Sequence, residues 1–127
     1  MQQSLPQISI KRAYEAPDIS DGTRVLIDRL WPRGVRKADL EIAVWLKNVA
    51  PSSALRKWFD HDPAKWTVFQ EKYLTELHRG NDEISSLLNL ARSEKITLIY
   101  GAHDKIHNHA QVLRQFLNQT LSALKQE

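Results

Sequence analysis

The sequence predicts one α/β domain: a small, mostly parallel sheet of three or four strands flanked by about five helices. Three observations carry this. The chain has 127 residues, the length of one ordinary domain. Arg24–Leu30 is a continuous apolar run closed by charge and Ile96–Tyr100 is rich in β-formers, and both look like strands buried on two faces, as in a covered parallel sheet. Around them lie segments whose apolar residues recur at helical spacing, and strands interspersed with helices make α/β layers.

Ile8–Tyr14 alternates apolar and polar residues and reads as the first strand. Glu15–Thr23 holds Pro17, Asp18, Ser20, Asp21 and Gly22 and reads as a loop. It is too short for a helical crossover, so the first two strands either form a hairpin or lie parallel with the third between them. The buried character of both later strands favours the second arrangement. Arg24–Leu30 is the second strand, and Trp31-Pro32-Arg33-Gly34 breaks it, because proline removes a donor and glycine permits a turn. Asp39–Asn48 is expected as a short helix with Leu40, Val44 and Trp45 on one face. A second helix opens after Pro51, capped by Ser52 or Ser53, and buries Leu55, Trp58 and Phe59. A third has Asp62 as N-cap and Pro63 at its first position, presents Trp66, Phe69, Tyr73 and Leu77, and ends at Gly80. The fourth starts near Asn81 or Asp82 and turns Ile84, Leu87, Leu88 and Ala91 inward. Ile96–Tyr100 is the third strand, placed in the sheet interior. Gly101–His107 is a polar loop, and Asn108 caps a final helix carrying Leu113, Phe116, Leu117, Leu121 and Leu124.

Composition narrows the chemistry. There is no cysteine, which excludes disulfides, thiolate zinc sites and thiol nucleophiles, and fits a cytoplasmic setting. No apolar run approaches the length of a membrane span, so no membrane association is expected. Met1-Gln2-Gln3-Ser4-Leu5-Pro6 lacks the basic flank and apolar stretch of a signal peptide. The net charge of +3 is uneven. Residues 24–37 alone hold Arg24, Arg29, Arg33, Arg36 and Lys37 against one acid, Asp28, while the rest of the chain is nearly balanced. That concentration points to a local anion site rather than to a stripe for nucleic acid.

Ligands in open α/β sheets bind beyond the carboxyl ends of the strands. Those ends are Asp28–Gly34 and Tyr100–Asp104, and a parallel sheet brings them to one edge. Arg29, Arg33 and Lys37 are the candidate anion ligands, since guanidinium forks match phosphate and carboxylate geometry. A solvated turn, or pairing of Arg29 with Asp28, is the plain structural alternative. Asp28 is a candidate site carboxylate, although an acid at a buried strand end equally needs a partner for structural reasons. The loop His103–His109 holds three of the five histidines. His109 and His103 are the candidate acid/base groups, weighed against a histidine packed under a helix start. Asn108 and the free N–H groups of the last helix would face an anion. Trp31, between a strand and a proline, either floors a pocket or joins the core. The other three tryptophans sit on apolar helix faces and read as core. The histidine spacing matches no zinc signature, so neither metal nor cofactor is expected.

Two longer stretches carry a resemblance. Ser20-Asp21-Gly22-x-Arg24-Val25-Leu26-Ile27-Asp28-Arg29-Leu30-Trp31-Pro32-Arg33-Gly34-x-x-Lys37 and Ala50-Pro51-Ser52-x-x-Leu55-Arg56-Lys57-Trp58-Phe59 are joined by Thr97-Leu98-x-Tyr100 and Asn108-His109-Ala110-x-Val112-Leu113. Together these resemble the YeaO-like branch of the family named domain of unknown function 488, over nearly the whole chain. The resemblance implies an α/β fold and a functional rim at the two segments already selected. The wider family looks to place a cysteine-histidine-arginine motif after its last strand. Here Asn108-His109-Ala110 stands there, keeping only the histidine. Two readings follow: a small enzyme or binding domain for an anionic metabolite such as a nucleotide or phosphorylated compound, or a non-enzymatic module for nucleic acid or a protein. The modest charge and lack of an aromatic-basic platform weigh against nucleic acid.

Overall fold

The computed structural model describes residues 8–125, so the opening residues read for a signal peptide lie outside the described part. Four strands, β1 (Ile8–Arg12), β2 (Thr23–Leu26), β3 (Val44–Trp45) and β4 (Ile96–Tyr100), form one sheet in the order β1-β4-β2-β3. Every pairing is parallel. The third predicted strand, now β4, therefore lies inside the sheet, with Leu98 opposite both Ile10 and Val25. Among the described residues five α-helices accompany it: α1 (Lys37–Leu40), α2 (Ser53–Phe59), α3 (Trp66–Arg79), α4 (Asp82–Ser93) and α5 (His109–Lys125).

The continuous apolar runs resolve into two faces because side chains alternate along a strand. Val25, Ile27, Ile96, Leu98 and Tyr100 join the main core with α2–α5, including Phe59, Phe69, Tyr73, Leu87, Leu113 and Leu117. Leu26 and Ile99 point the other way, into a smaller cluster with Ala13 and Leu40, closed by Trp31, Val35, Ile42 and Trp45. Helices thus cover one face and the segment after β2 covers the other.

One element differs from the sequence reading. Asp39–Asn48 is not a helix: α1 stops at Leu40, Glu41 turns left-handed at φ 50°, and Val44–Trp45 is an edge strand. Without it, β2 would expose a row of unpaired backbone groups. The amides of Ala43 and Leu46 instead donate to the carbonyls of Arg24 and Leu26 at 2.8 and 2.9 Å. Ile42, Val44 and Trp45 are β-formers, and tertiary pairing overrides their helical spacing. Arg24 holds the turn, its Nε and Nη2 donating to the Leu40 carbonyl at 3.0 and 2.8 Å.

The other start and stop signals act as expected. Ser52 accepts from Leu55 N, Asp62 from Ala64 N and Asn81 from Ile84 N. Asp62 caps a short 3-10 turn at Pro63–Lys65 that runs into α3. At Gly22 the chain enters β2 with φ +65°, and a Cβ there would lie 2.5 Å from the Lys95 carbonyl oxygen, so only glycine fits.

Candidate functional site

At the C-terminal edge of the sheet, the loops after β2 and β4 and the N-terminus of α5 enclose a cleft of about 480 Å³. Arg29, Trp31, Arg33, Asp28, His103, Asn108 and His109 all line it. The parallel topology therefore brings the two sequence-selected segments together. Lys37 is the exception. It is exposed at the start of α1, on the far side of Gly34, and does not line the cleft.

The inner end is built on Asp28 and His109, whose side chains are 21 % and 14 % exposed. Asp28 leaves β2 just after Ile27, and its Oδ2 accepts from Gly101 N at 2.8 Å, so one carboxylate ties the ends of β2 and β4 together. Trp45 Nε1 donates to the Asp28 carbonyl at 2.7 Å, which gives the edge strand a part in positioning the site. His109, the first residue of α5, directs Nε2 at the Ile27 carbonyl at 3.1 Å, with Asp28 Oδ1 at 3.2 Å. Both neighbours are acceptors, so Nε2 carries the proton and, in the neutral ring, Nδ1 is the acceptor. His109 is thus a packed, satisfied histidine on one nitrogen and an open one on the other. Asp28 Oδ1 receives no hydrogen bond of good geometry and is one of two such buried side-chain atoms among the described residues. The other is Arg29 Nε.

Arg29 is more structural than its sequence position suggests. Its Nη2 donates to the carbonyls of Ala50 and Pro51 at 3.4 and 3.2 Å, holding the entry to α2. Trp31 packs on the smaller core, 5.5 Å from Trp45 in an edge arrangement, and also lines the cleft. Its Nε1 donates to the Val35 carbonyl at 2.7 Å, which fixes the ring. Asn108 is 2 % exposed and caps α5, its Oδ1 accepting from Gln111 N and its Nδ2 donating to the Asp104 carbonyl.

In the second loop Asp104 accepts from the amides of Ile106 and His107 and contacts His107 Nδ1 at 2.8 Å. The His107 bonds, backbone first, hold its carboxyl down to about 2. The His107 ring then stands edge-on to Trp66, 5.4 Å away. His103 is exposed at the rim.

Sequence reasoning missed Tyr14, Arg56, Phe59 and His61 as lining residues. Arg56 and Phe59 are three apart on α2 and so share a face, a signal available once the cleft side of that helix is known. Tyr14 donates to the Arg33 carbonyl at 2.9 Å and steadies that turn. Arg33 and Arg56 form no ion pair and no side-chain hydrogen bond among the described residues, whereas both cleft acids, Asp28 and Asp104, are engaged. Among the described residues no group of three or more His, Asp or Glu is arranged to hold a metal, and no helix is long and apolar enough to cross a membrane.

Known proteins match this chain along nearly its full length. The protein YeaO of Escherichia coli K12 is 42 % identical over 110 residues, spanning 87 % of this chain and 96 % of its own. The protein Rv3073c of Mycobacterium tuberculosis H37Rv is 38 % identical over 112 residues, covering 88 % and 94 %. Both carry the name "uncharacterized protein". No solved structure gives a significant match. The family DUF488-N3i, described as "Inactive DUF488-N3 subclade", matches residues 7–127. That span contains all four strands and both loops of the cleft, and the chain accordingly belongs to DUF488-N3i as a YeaO-like member of the DUF488 family.

Proposed function

We propose that the cleft binds an anionic small molecule bearing phosphate or carboxylate, with Arg33 and Arg56 as its cationic contacts and His109 and His103 as additional polar groups. The observation that carries this is the charge balance of the lining. Its two acids are occupied by protein donors, while two guanidiniums face the cleft with no partner among the described residues. Unpaired arginines beside a partly apolar surface favour an anion, because local dielectric screening is weaker there. The N-terminus of α5 adds to the same sign of potential.

Binding has more support than covalent chemistry. Among the described residues the lining holds no serine, threonine, cysteine or lysine beside the His109–Asp28 couple for it to activate. Proton transfer to or from a bound ligand through His109 Nδ1 stays chemically open. The family's description as inactive agrees with a binding role. A nucleic-acid or protein-docking module has less support, because the free cations line a concavity rather than a continuous stripe.

The test is a thermal-shift series in orthophosphate and pyrophosphate. Saturating anion at 100 times its Kd stabilises by about 2.7 kcal/mol, which is easily read. Arg33→Ala is expected to abolish that rise while leaving the ligand-free melt within about 0.5 kcal/mol, as for an exposed side chain without partners. A wild-type protein insensitive to both anions, or an equal drop in the ligand-free variant, would overturn the assignment.

A further inference from the structure

We propose that the cleft takes a flat nitrogen heterocycle with an anionic tail, the chemistry of a nucleoside monophosphate, ring inward and anion at the arginine rim. This rests on the anion-binding reading and adds a ring subsite to it.

The walls argue first. Beside the guanidiniums and the His109–Asp28 couple, the lining includes Trp31, Pro32 and Phe59, with Tyr14 at the exposed rim. A small inorganic anion gains nothing from such walls and loses hydration against them. A planar ring gains stacking and apolar burial. The Trp31 indole is held by its bond to Val35 and its edge contact with Trp45, so the wall is in place before a ligand arrives. A volume of about 480 Å³ suits a small organic molecule rather than a lone phosphate.

The inner end then sets orientation. It offers an acceptor at His109 Nδ1, which has no partner among the described residues, and it carries the negative Asp28 carboxylate, whose Oδ2 accepts from Gly101 N while Oδ1 is buried on the Nε2 side of the ring. Acceptors repel a phosphate or carboxylate and attract an N–H donor. An anion placed inward would meet the negative Asp28, whereas an amino or imide N–H would find the open acceptor of His109 Nδ1. The ligand must therefore carry donor and anion at opposite ends, joined through a ring that the aromatic walls cover. Exposure orders the parts the same way: Tyr14 and Arg33 are exposed, while His109 and Asp28 are largely buried.

Isothermal titration of the full chain tests this with defined probes: the four ribonucleoside 5′-monophosphates, adenosine, ribose 5-phosphate, orthophosphate and indole-3-acetate. At least one nucleotide is expected to bind tenfold or more tightly than ribose 5-phosphate, and for the adenine compounds the nucleotide more tightly than adenosine. Indole-3-acetate separates a carboxylate tail from a phosphate one. Tyr14→Ala is expected to weaken the best ring compound at least threefold more than it weakens ribose 5-phosphate, while Tyr14→Phe, which keeps the ring but loses the bond to Arg33, retains most of the affinity for the ring compound. If ribose 5-phosphate or orthophosphate binds as tightly as every ring compound, the ring subsite is wrong and the anion site stands. If no probe binds at all, the anion-binding reading fails with it.

Discussion

Trp66→Ala probes the packing that supports the cleft from below. Trp66 sits at the first turn of α3, half-buried against the main core. Its ring lies 6.0 Å from Phe59, 5.6 Å from Phe69 and 5.4 Å from His107, centroid to centroid. Phe59 and Phe69 also line the cleft, and His107 belongs to its second loop. A fully buried tryptophan replaced by alanine costs about 3–5 kcal/mol, and each aromatic pair adds about 0.5–1.5 kcal/mol beyond area burial. Because one side of this indole reaches solvent, the lower end applies, about 3 kcal/mol. With a urea slope of about 2 kcal/mol/M, the unfolding midpoint falls by about 1.5 M. The His107 ring resonances should shift in the same variant, since the edge contact is lost. A stability loss well under 1 kcal/mol would mean that α3 does not pack through this face, and the account of the cleft floor would be wrong.

Three further outcomes are expected. Asp21, buried at the end of the β1–β2 loop, bonds Lys11 at 2.9 Å and Arg24 at 2.6 Å. Burial pushes its carboxyl up, but the Lys11, Asp18 and Arg24 bonds outweigh this and hold it low. The stability it supplies is therefore complete above the ordinary carboxylate range and lost as pH falls through its lowered value. Asp21→Asn should cost about 3 kcal/mol at pH 7 and flatten the acid limb of a stability–pH curve, and a variant with an unchanged acid limb would contradict this. Asp104 should titrate by carbon-detected NMR with a midpoint of about 2, whereas a normal carboxylate midpoint would show that the His107 turn is not formed. Gly101→Ala places a Cβ 3.0 Å from Asp28 Oδ2 and strains the carboxylate that joins β2 to β4. It should cost about 1–3 kcal/mol, and Asp28→Ala in the same chain should recover part of that loss; strict additivity in a double-mutant cycle would deny the contact.

Much of this protein is readable without coordinates. Val25–Ile27 and Ile96–Tyr100 declare themselves as interior strands because a strand covered twice is mostly apolar on both faces. Ser52, Asp62, Asn81 and Asn108 mark helix starts because orphan amides need nearby side-chain acceptors, and that is a local demand. Once strand ends are known in a parallel sheet, the presence of Arg33 and His109 in the lining of one cleft follows from topology. Tertiary structure decided the rest. Val44–Trp45 became a strand only because β2 had an open edge to pair. Arg29 lines the cleft but engages its Nη2 with the Ala50 and Pro51 carbonyls because those lie within reach in the folded chain, 21 and 22 residues away in sequence. Lys37 dropped out of the lining, and Arg56 entered it, for the same reason. Which face of a turn or helix meets a cavity depends on what packs against its other side, and sequence neighbours do not carry that information.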